Sequence, residues 1–194
     1  MKRIQLTVAM IAIMSFSAIV GGSILTSCKS KQSIQKGSTE VAVPFAEKQY
    51  RTDKEFFRAS QVGKSSDLAT AKKIALANAK AELGGNIQSV IKAVTENYTN
   101  QRSVGDRQEY ENQFEENARA VVIQTLNDVK IIGERAFKEK DGSITYYIAI
   151  EMSKDAVINA VSGKISNDAK LQLEFDKYRF KKVFDEEMEK FENQ

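Results

Sequence analysis

Apolar residues recur three or four positions apart over one long stretch in the middle of the chain. The stretch runs from Leu68 to Tyr98, and its apolar members between these ends are Ala71, Ala75, Ala79, Leu83, Ile87, Val90, Ile91 and Val94. This spacing predicts a helix with one continuous apolar face. Alanine dominates the first half of that face, so this part of the helix can approach a sheet closely. Gly84 and Gly85 weaken the helix propensity in its middle.

The segment in front of this helix predicts a strand. Residues 56–63 form a short segment that begins with two aromatic residues and leads into Gly63-Lys64-Ser65-Ser66. We interpret Gly63 as a turn glycine and Ser66 or Asp67 as the N-cap of the helix. A phosphate-binding loop of the Walker type is disfavoured, because the first glycine of that motif would fall at Arg58.

Two strands joined by a tight turn follow a second predicted helix. A loop containing Gly105-Asp106 leads into a helix over residues 108–127, and the strand-like runs 129–140 and 143–152 are joined by Asp141-Gly142. That pair predicts a type I′ hairpin turn, in which both central residues have positive φ. In the second run the alternation places Tyr146 and Tyr147 on opposite faces. This pair is the aromatic feature in the sheet that we expect to contact a ligand or partner.

The C-terminal region carries helical spacing almost to its end. Ser153 is expected to cap it, and the apolar positions are Ile158, Val161, Ile165, Ala169, Leu173, Phe180, Phe184, Met188 and Phe191. Read as one helix, about 40 residues would extend roughly 60 Å and project past the domain. Phe180, Phe184 and Phe191 would then serve a protein partner or a homo-oligomer. The alternative is a break near residues 163–167, with Ser166 or Asn167 capping a second helix that folds back.

The order of elements is strand, helix, helix, strand, strand, helix. This order predicts an α+β fold, with a small, mainly antiparallel sheet covered by helices and a long C-terminal helical arm. The domain is expected over residues 55–161 and the arm over residues 162–194.

The first residues predict export. Lys2 and Arg3 precede an uncharged apolar stretch that reaches Ser27, as in a signal peptide. The stretch ends in Leu25-Thr26-Ser27-Cys28, which resembles the lipobox of bacterial lipoproteins and implies cleavage between Ser27 and Cys28 with lipid on Cys28. An uncleaved transmembrane anchor is the alternative, because about 20 apolar residues can span a bilayer. Residues 1–27 would be the signal and residues 28–54 a flexible tether.

The residue after Cys28 favours the outer membrane over the inner membrane. Lys29 stands where an aspartate often marks retention at the inner membrane. We therefore expect a lipid-anchored protein of the outer membrane with its domain in the periplasm, or alternatively at the cell surface.

The amino-acid composition limits the partners and the kinds of catalysis that we expect for this protein. Loss of Lys2 and Arg3 would reduce the formal net charge from +3 to +1, which predicts no nucleic-acid partner. The chain has no histidine, the residue most used for proton transfer near neutral pH. Cys28 is the sole cysteine and would be acylated. We expect no enzyme, no cofactor and no metal site.

A family resemblance adds to these patterns. The run Arg58-Ala59-Ser60-Gln61-Val62-Gly63, the helix start at Asp67-Leu68 and the alanine ladder resemble the twenty-kilodalton membrane-associated lipoprotein family over roughly residues 55–161. The same arrangement is similar to the N-terminal domain of flagellar assembly protein T. The resemblance implies an outer-membrane or surface lipoprotein and supplies no catalytic residues.

The leading hypothesis is a non-enzymatic envelope lipoprotein that scaffolds or binds another protein. The alternative is a module that binds a small apolar ligand between the hairpin face and the Ala-rich helix. Such a module would need an internal cavity of several hundred cubic ångströms, roughly.

Overall fold

The computed structural model describes residues 41–100, 107–173 and 175–192. Of residues 191 and 192 it describes the backbone alone. All regular elements lie in one compact unit, Ala42–Gln194. The strands are β1 (Phe56–Ser65), β2 (Lys130–Lys138) and β3 (Ile144–Ser153), and the helices are α1 (Leu68–Asn100), α2 (Arg107–Thr125), α3 (Lys154–Ser166) and α4 (Lys177–Glu192). The α+β class and the predicted order of elements are confirmed.

The three strands form one antiparallel sheet in the order β1-β3-β2. Gly63 lies opposite Tyr146 in the β1–β3 register, and Ala136 lies opposite Tyr146 in the β2–β3 register. Helix α1 packs across β1 and β3, whereas β2 packs mainly against β3 among the described elements. The sheet therefore has an inner face covered by helix, an outer face, and β2 at one edge.

Gly63 is a strand residue, not the turn glycine that the sequence suggested. Strand β1 continues through it to Ser65. A Cβ at this position would lie 2.3 Å from the carbonyl oxygen of Ala71 and 2.5 Å from the amide nitrogen of Ala75. Glycine is thus required because the backbones of β1 and α1 nearly touch. The predicted cap is present, since the amide of Thr70 donates to the Asp67 carboxylate at 2.8 Å.

The hairpin turn differs from the predicted type I′. Gly142 has φ of 82°, but Asp141 is not among the residues with positive φ. The amide of Gly142 donates to the Glu139 carbonyl at 3.0 Å, and the Glu139 amide donates to the Ser143 carbonyl at 2.8 Å. This is a type I turn followed by a left-handed glycine. Hydrogen bonds from the Ser143 hydroxyl and amide stabilise the Asp141 carboxylate and lower its pKa to about 2.

The C-terminal region is two helices, so the structure has the folded-back alternative and no single projecting helix. Helix α3 ends at Ser166 and α4 begins at Lys177, a wider break than the sequence suggested. The cap is Asp176, whose carboxylate accepts the Arg179 amide at 3.0 Å. The Asp176 amide in turn donates to the Tyr98 hydroxyl at 2.6 Å, which joins the start of α4 to α1.

Aromatic packing holds α4 on the domain. The Phe180 ring lies 5.5 Å from that of Phe114 on α2 and 6.3 Å from that of Tyr98, and the Phe184 ring lies 6.2 Å from that of Phe57 on β1. Tyr98, Phe57, Phe114, Phe180 and Phe184 are all fully buried. Part of the apolar stripe predicted for a projecting arm, Phe180, Phe184 and Met188, therefore closes the core, whereas Leu173 is 84% exposed.

The close approach at Gly63 leads to a first prediction. Gly63→Ala should destabilise the domain by about 1–3 kcal/mol, because the added methyl meets backbone atoms that cannot move aside. Gly85→Ala on α1 is the matched control, since a Cβ there meets nothing within 4 Å. It should stabilise the helix by about 0.5–1 kcal/mol. Chemical denaturation of both variants measures the two effects, and equal unfolding curves would contradict the packing.

Candidate interaction surface

Part of the predicted tether is folded onto the outer face of the sheet. We call residues 43–51 the strap; it ends in a short 3-10 turn, Lys48–Tyr50. The Arg51 guanidinium donates two hydrogen bonds to the Ala46 carbonyl, at 3.2 and 3.1 Å, and so closes the strap on itself. The tether that the sequence placed at residues 28–54 is therefore shorter than expected, because residues 42–54 belong to the compact unit.

Phe45 holds the strap in place. Its φ of 63° is uncommon for an aromatic residue and stores strain. The side chain is nonetheless 7% exposed, with its ring 4.8 Å from that of Tyr50 and 5.6 Å from the Arg135 guanidinium. A Cβ on Gly133 would lie 2.5 Å from the Phe45 ring, so this glycine makes room for it. Burial of the ring offsets the backbone strain.

A groove runs between the strap and the exposed end of the outer face. It has a volume of about 320 Å³ and is lined chiefly by Val43, Pro44, Phe45, Val62 and Tyr147. Val43 is 60% exposed and Val62 is 38% exposed. We call this the strap groove.

An aromatic pair extends the strap groove onto β2. The rings of Phe137 and Tyr147 meet edge to face at 5.8 Å, and Phe137 is 47% exposed. Aromatic side chains rigidly held at a surface are typical of protein-binding sites.

Arg58 ties the strap to two strands. Its guanidinium bonds to Asp53 at 2.5 Å, to Glu151 on β3 at 3.1 Å and to the Arg51 carbonyl at 2.9 Å. Burial alone would lower the pKa of Arg58, but the bonds to the two carboxylates raise it. Burial likewise opposes ionisation of Asp53, but the hydrogen bonds from Arg58 and from the Glu55 and Phe56 amides together outweigh it, so the pKa of Asp53 is lowered. The cluster is an internally paired brace.

The two candidate tyrosines have separate environments. Tyr147 lies on the outer face and lines the strap groove, as a contact residue should. Tyr146 lies on the inner face and is 7% exposed, with its hydroxyl donating to Glu134 at 2.7 Å. The register explains the difference, because successive residues of a strand face opposite sides. Tyr146 is therefore a packing residue.

Two other predicted contact residues do not reach the surface. Phe180 and Phe184 are fully buried in the core, because α4 folds back and needs them for packing, and this corrects their predicted role in a partner-binding arm. The side chain of Phe191 lies outside the described residues, as do Ser27 and Cys28.

Lys72, Glu134 and Tyr146 form a cluster of titratable side chains at the edge of the inner face, and such a cluster is a candidate for catalysis. The Lys72 ammonium lies 2.6 Å from Glu134, which also accepts the Tyr146 hydroxyl. The hydrogen bond to Glu134 raises the pKa of Lys72, and the bond from Lys72 lowers the pKa of Glu134. Burial is the main cause that raises the pKa of Tyr146, and the hydrogen bond to Glu134 is the second. Each pKa shift favours the ordinary charge state at neutral pH: a protonated lysine, an ionised glutamate and a neutral tyrosine. A lysine nucleophile or a tyrosine base would need a lowered pKa instead.

Next to the hairpin, the Ala-rich helix leaves no room for a ligand over Gly63. Gly63 on β1 and Ala71 and Ala75 on α1 are in direct contact. A different groove of about 320 Å³ lies at the start of α3, with an apolar floor of Phe56, Met152 and Ala156. Asp128 and Lys130 also line it.

The described residues contain neither a membrane-spanning helix nor a cluster of metal ligands. None of the helices in this part of the chain has the length and apolar character to cross a membrane. Within the same residues, no group of three or more His, Cys, Asp or Glu side chains is placed to hold a metal ion.

Comparison with known proteins found no match for this chain among family models, curated proteins or solved structures.

Sequence reasoning missed the strap and the Arg58 brace. Pro44-Phe45 and Tyr50 were the available signal, because aromatic residues are out of place in a polar tether. Arg58 and Glu151 are paired through the β1–β3 register, which the sequence does not reveal.

The Glu134 cluster predicts a pH dependence. Because the pKa of Glu134 is lowered in the folded state, its stabilising effect is present above the ordinary glutamate pKa of 4.5 and is lost as pH falls through the folded pKa. Glu134→Gln should therefore lower stability at pH 7, by at most about 1 kcal/mol for a surface pair. The difference from wild type should shrink towards pH 3. Thermal unfolding of both proteins across this range measures it, and a constant difference would refute the assignment.

Proposed function

We propose that this protein is a lipid-anchored component of the bacterial outer membrane that binds another protein without catalysing a reaction. Lipid on Cys28 would hold it on the membrane, with the domain in the periplasm. The strap groove, with the Phe137–Tyr147 pair beside it, is the proposed binding site. Membership of the twenty-kilodalton lipoprotein family and relation to flagellar assembly protein T are part of this proposal and rest on the residues quoted above.

The strap groove is the observation that carries the proposal. Its wall combines a locked aromatic residue, Phe45, with partly exposed Tyr147 and Val62. A rigid, open groove with apolar walls suits the side chains of a polypeptide, because little entropy is lost when a preformed surface is covered. Arg135, which lies against the Phe45 ring, adds a cationic group at the rim. Tyr and Arg are the residue types most often found at the energetic centre of protein interfaces.

The charged clusters support a binding role over an enzymatic one. In the described part of the chain, Arg58 is braced by Asp53 and Glu151, and Glu134 by Lys72 and Tyr146. A catalytic acid or base works best with a pKa near the working pH. The shifts in both clusters move the pKa values away from neutrality.

A small apolar ligand remains the second candidate function, at a different place from the one first expected. The groove at the start of α3 favours it, since Phe56, Met152 and Ala156 form an apolar floor beside charged side chains. Its volume of about 320 Å³ is at the lower end of known ligand sites, roughly 300–1,000 Å³.

The anchor is tested by Cys28→Ala. The variant should lose lipid and remain uncleaved at this site, whereas the wild-type membrane fraction should yield lipid-modified Cys28. One acyl chain gives membrane binding of only about 10⁴ M⁻¹, so stable attachment requires more than one chain. Mass spectrometry of the N-terminal peptide gives the result, and density-gradient fractionation locates the membrane. Unmodified Cys28 in the wild type would refute the anchor.

The binding site is tested by a photo-crosslinking amino acid placed at Val62 in living cells. We expect a discrete adduct with another protein from this position, and little from Ile123 on α2. Ile123 is 61% exposed and apolar, so it is a matched control outside the groove. The mass of the adduct distinguishes a foreign protein from a second copy of this chain. Equal labelling from both positions would contradict a specific groove.

A further inference from the structure

We propose that two copies of this chain pair through β2, with strands antiparallel and Ala136 on the two-fold axis. This interaction does not depend on the proposed function, although Arg135 and Phe137 also lie beside the strap groove. It rests on an open sheet edge, on the direction of the backbone groups along that edge, and on the charges that one register brings together.

The two edges of the sheet are unequal. At the β1 edge, the Thr52 hydroxyl bonds to both the amide and the carbonyl of Arg58, at 2.9 and 3.1 Å. The Asn78 side chain donates to the Val62 carbonyl at 3.0 Å, so side chains already occupy the β1 edge. Strand β2 has β3 on one side, and none of the hydrogen bonds found in the described residues caps its other side in this way. Such an edge is a template for another strand.

The hairpin determines which backbone groups face outward. Because the Glu139 amide donates to the Ser143 carbonyl, Glu139 points towards β3. Backbone groups alternate along a strand, so those of Glu134, Ala136 and Lys138 point to the open edge. The bulge between Ile131 and Gly133 lies outside this stretch, which leaves residues 134–138 regular. Pairing of this stretch with itself would form about six hydrogen bonds.

The charges select the register. With Ala136 opposite Ala136 of the second copy, Glu134 lies opposite Lys138 and Arg135 opposite Phe137, each pair twice by symmetry. Residues directly opposite share a face, so these are an ion pair on the inner face and a cation–π pair on the outer face. An axis through Glu134, Arg135 or Lys138 would place like charges together. An axis through Phe137 would leave fewer residues paired.

The side chains of the proposed ion pair, Glu134 and Lys138, are available for this contact. Both internal bonds of Glu134 use Oε1, so Oε2 can accept the Lys138 ammonium of the second copy. Lys138 and Ala136 are exposed, and Lys138 makes no ion pair with another described residue. Charged residues on an edge strand normally oppose pairing. Here their order along β2 is self-complementary.

The dimer should be weak and reversible. Five residues from each copy bury less than the roughly 1,200 Å² typical of stable interfaces. The test therefore traps the dimer covalently. In a hydrogen-bonded antiparallel pair the Cα atoms are about 5.5 Å apart, a separation that a disulfide can bridge.

The experiment uses the full chain with Cys28→Ser in mild detergent, which removes the native thiol. Ala136→Cys should form a disulfide-linked dimer under mild oxidation. Lys138→Cys is the matched control on the same edge; it should not, because its own counterpart would be displaced by about four residues, roughly 14 Å along the strand. A mixture of Glu134→Cys and Lys138→Cys proteins should give the mixed dimer. No link at position 136, or equal links at 136 and 138, would overturn the proposal.

A charge reversal tests the register independently. Added to Ala136→Cys, Lys138→Glu places a carboxylate beside Glu134 of the second copy and should slow crosslinking by roughly fivefold or more. Lys92→Glu is the control, since it makes the same change about 30 Å along α1 from Lys72, the contact point with β2. Equal rates for the two charge variants would also overturn the proposal.

Discussion

The contact between Gly63 and the first half of α1 determines the arrangement of the other elements. With a backbone separation that leaves no room for a Cβ, the alanines at 71, 75 and 79 lie directly on the strands and are fully buried. Helix α1 is longer than the sheet needs, so its second half extends beyond this contact. There larger apolar residues, Ile87, Val90, Ile91 and Val94, replace alanine and are buried as well. This half is where α2 and α4 pack.

An aromatic cluster fills the space that α1 leaves between these helices. The rings of Phe175 and Phe180 contact each other, and each also contacts those of Tyr98 and Phe114. Phe180 also contacts Phe184. Such rings bury large apolar areas and favour tilted or edge-on contact. The cluster contains residues from three helices and the loop before α4. Folding back of the C-terminal region is therefore part of core formation, and its apolar stripe is not left over for a partner.

The outer surface follows from the strand order. Because β3 is central, the helices cover β1 and β3, and the strap covers part of the outer face. The β1 edge is closed by Thr52 and Asn78, while β2 keeps an unpaired edge. The two proposed interactions adjoin at Arg135 and Phe137 of β2: the strap groove binds side chains, and the β2 edge adds the backbone hydrogen bonds of a second strand. Half-buried charges such as Arg58 and Glu151 are paired internally, which holds the strap against the sheet.

Local patterns in the sequence determined the class of fold, the order of its elements and the extent of α1, because helical spacing, strand alternation and turn residues act over a few neighbours. The Asp67 cap and the left-handed Gly142 were likewise readable. Tertiary structure decided what depends on residues far apart in the chain. Gly63 is required because the backbone of Ala71 and Ala75 lies against it, and Phe180 is buried because Phe114 and Tyr98 pack around it. The strap could not be predicted from local sequence for the same reason, because Phe45 packs on Gly133, a residue that becomes its neighbour only in the folded chain.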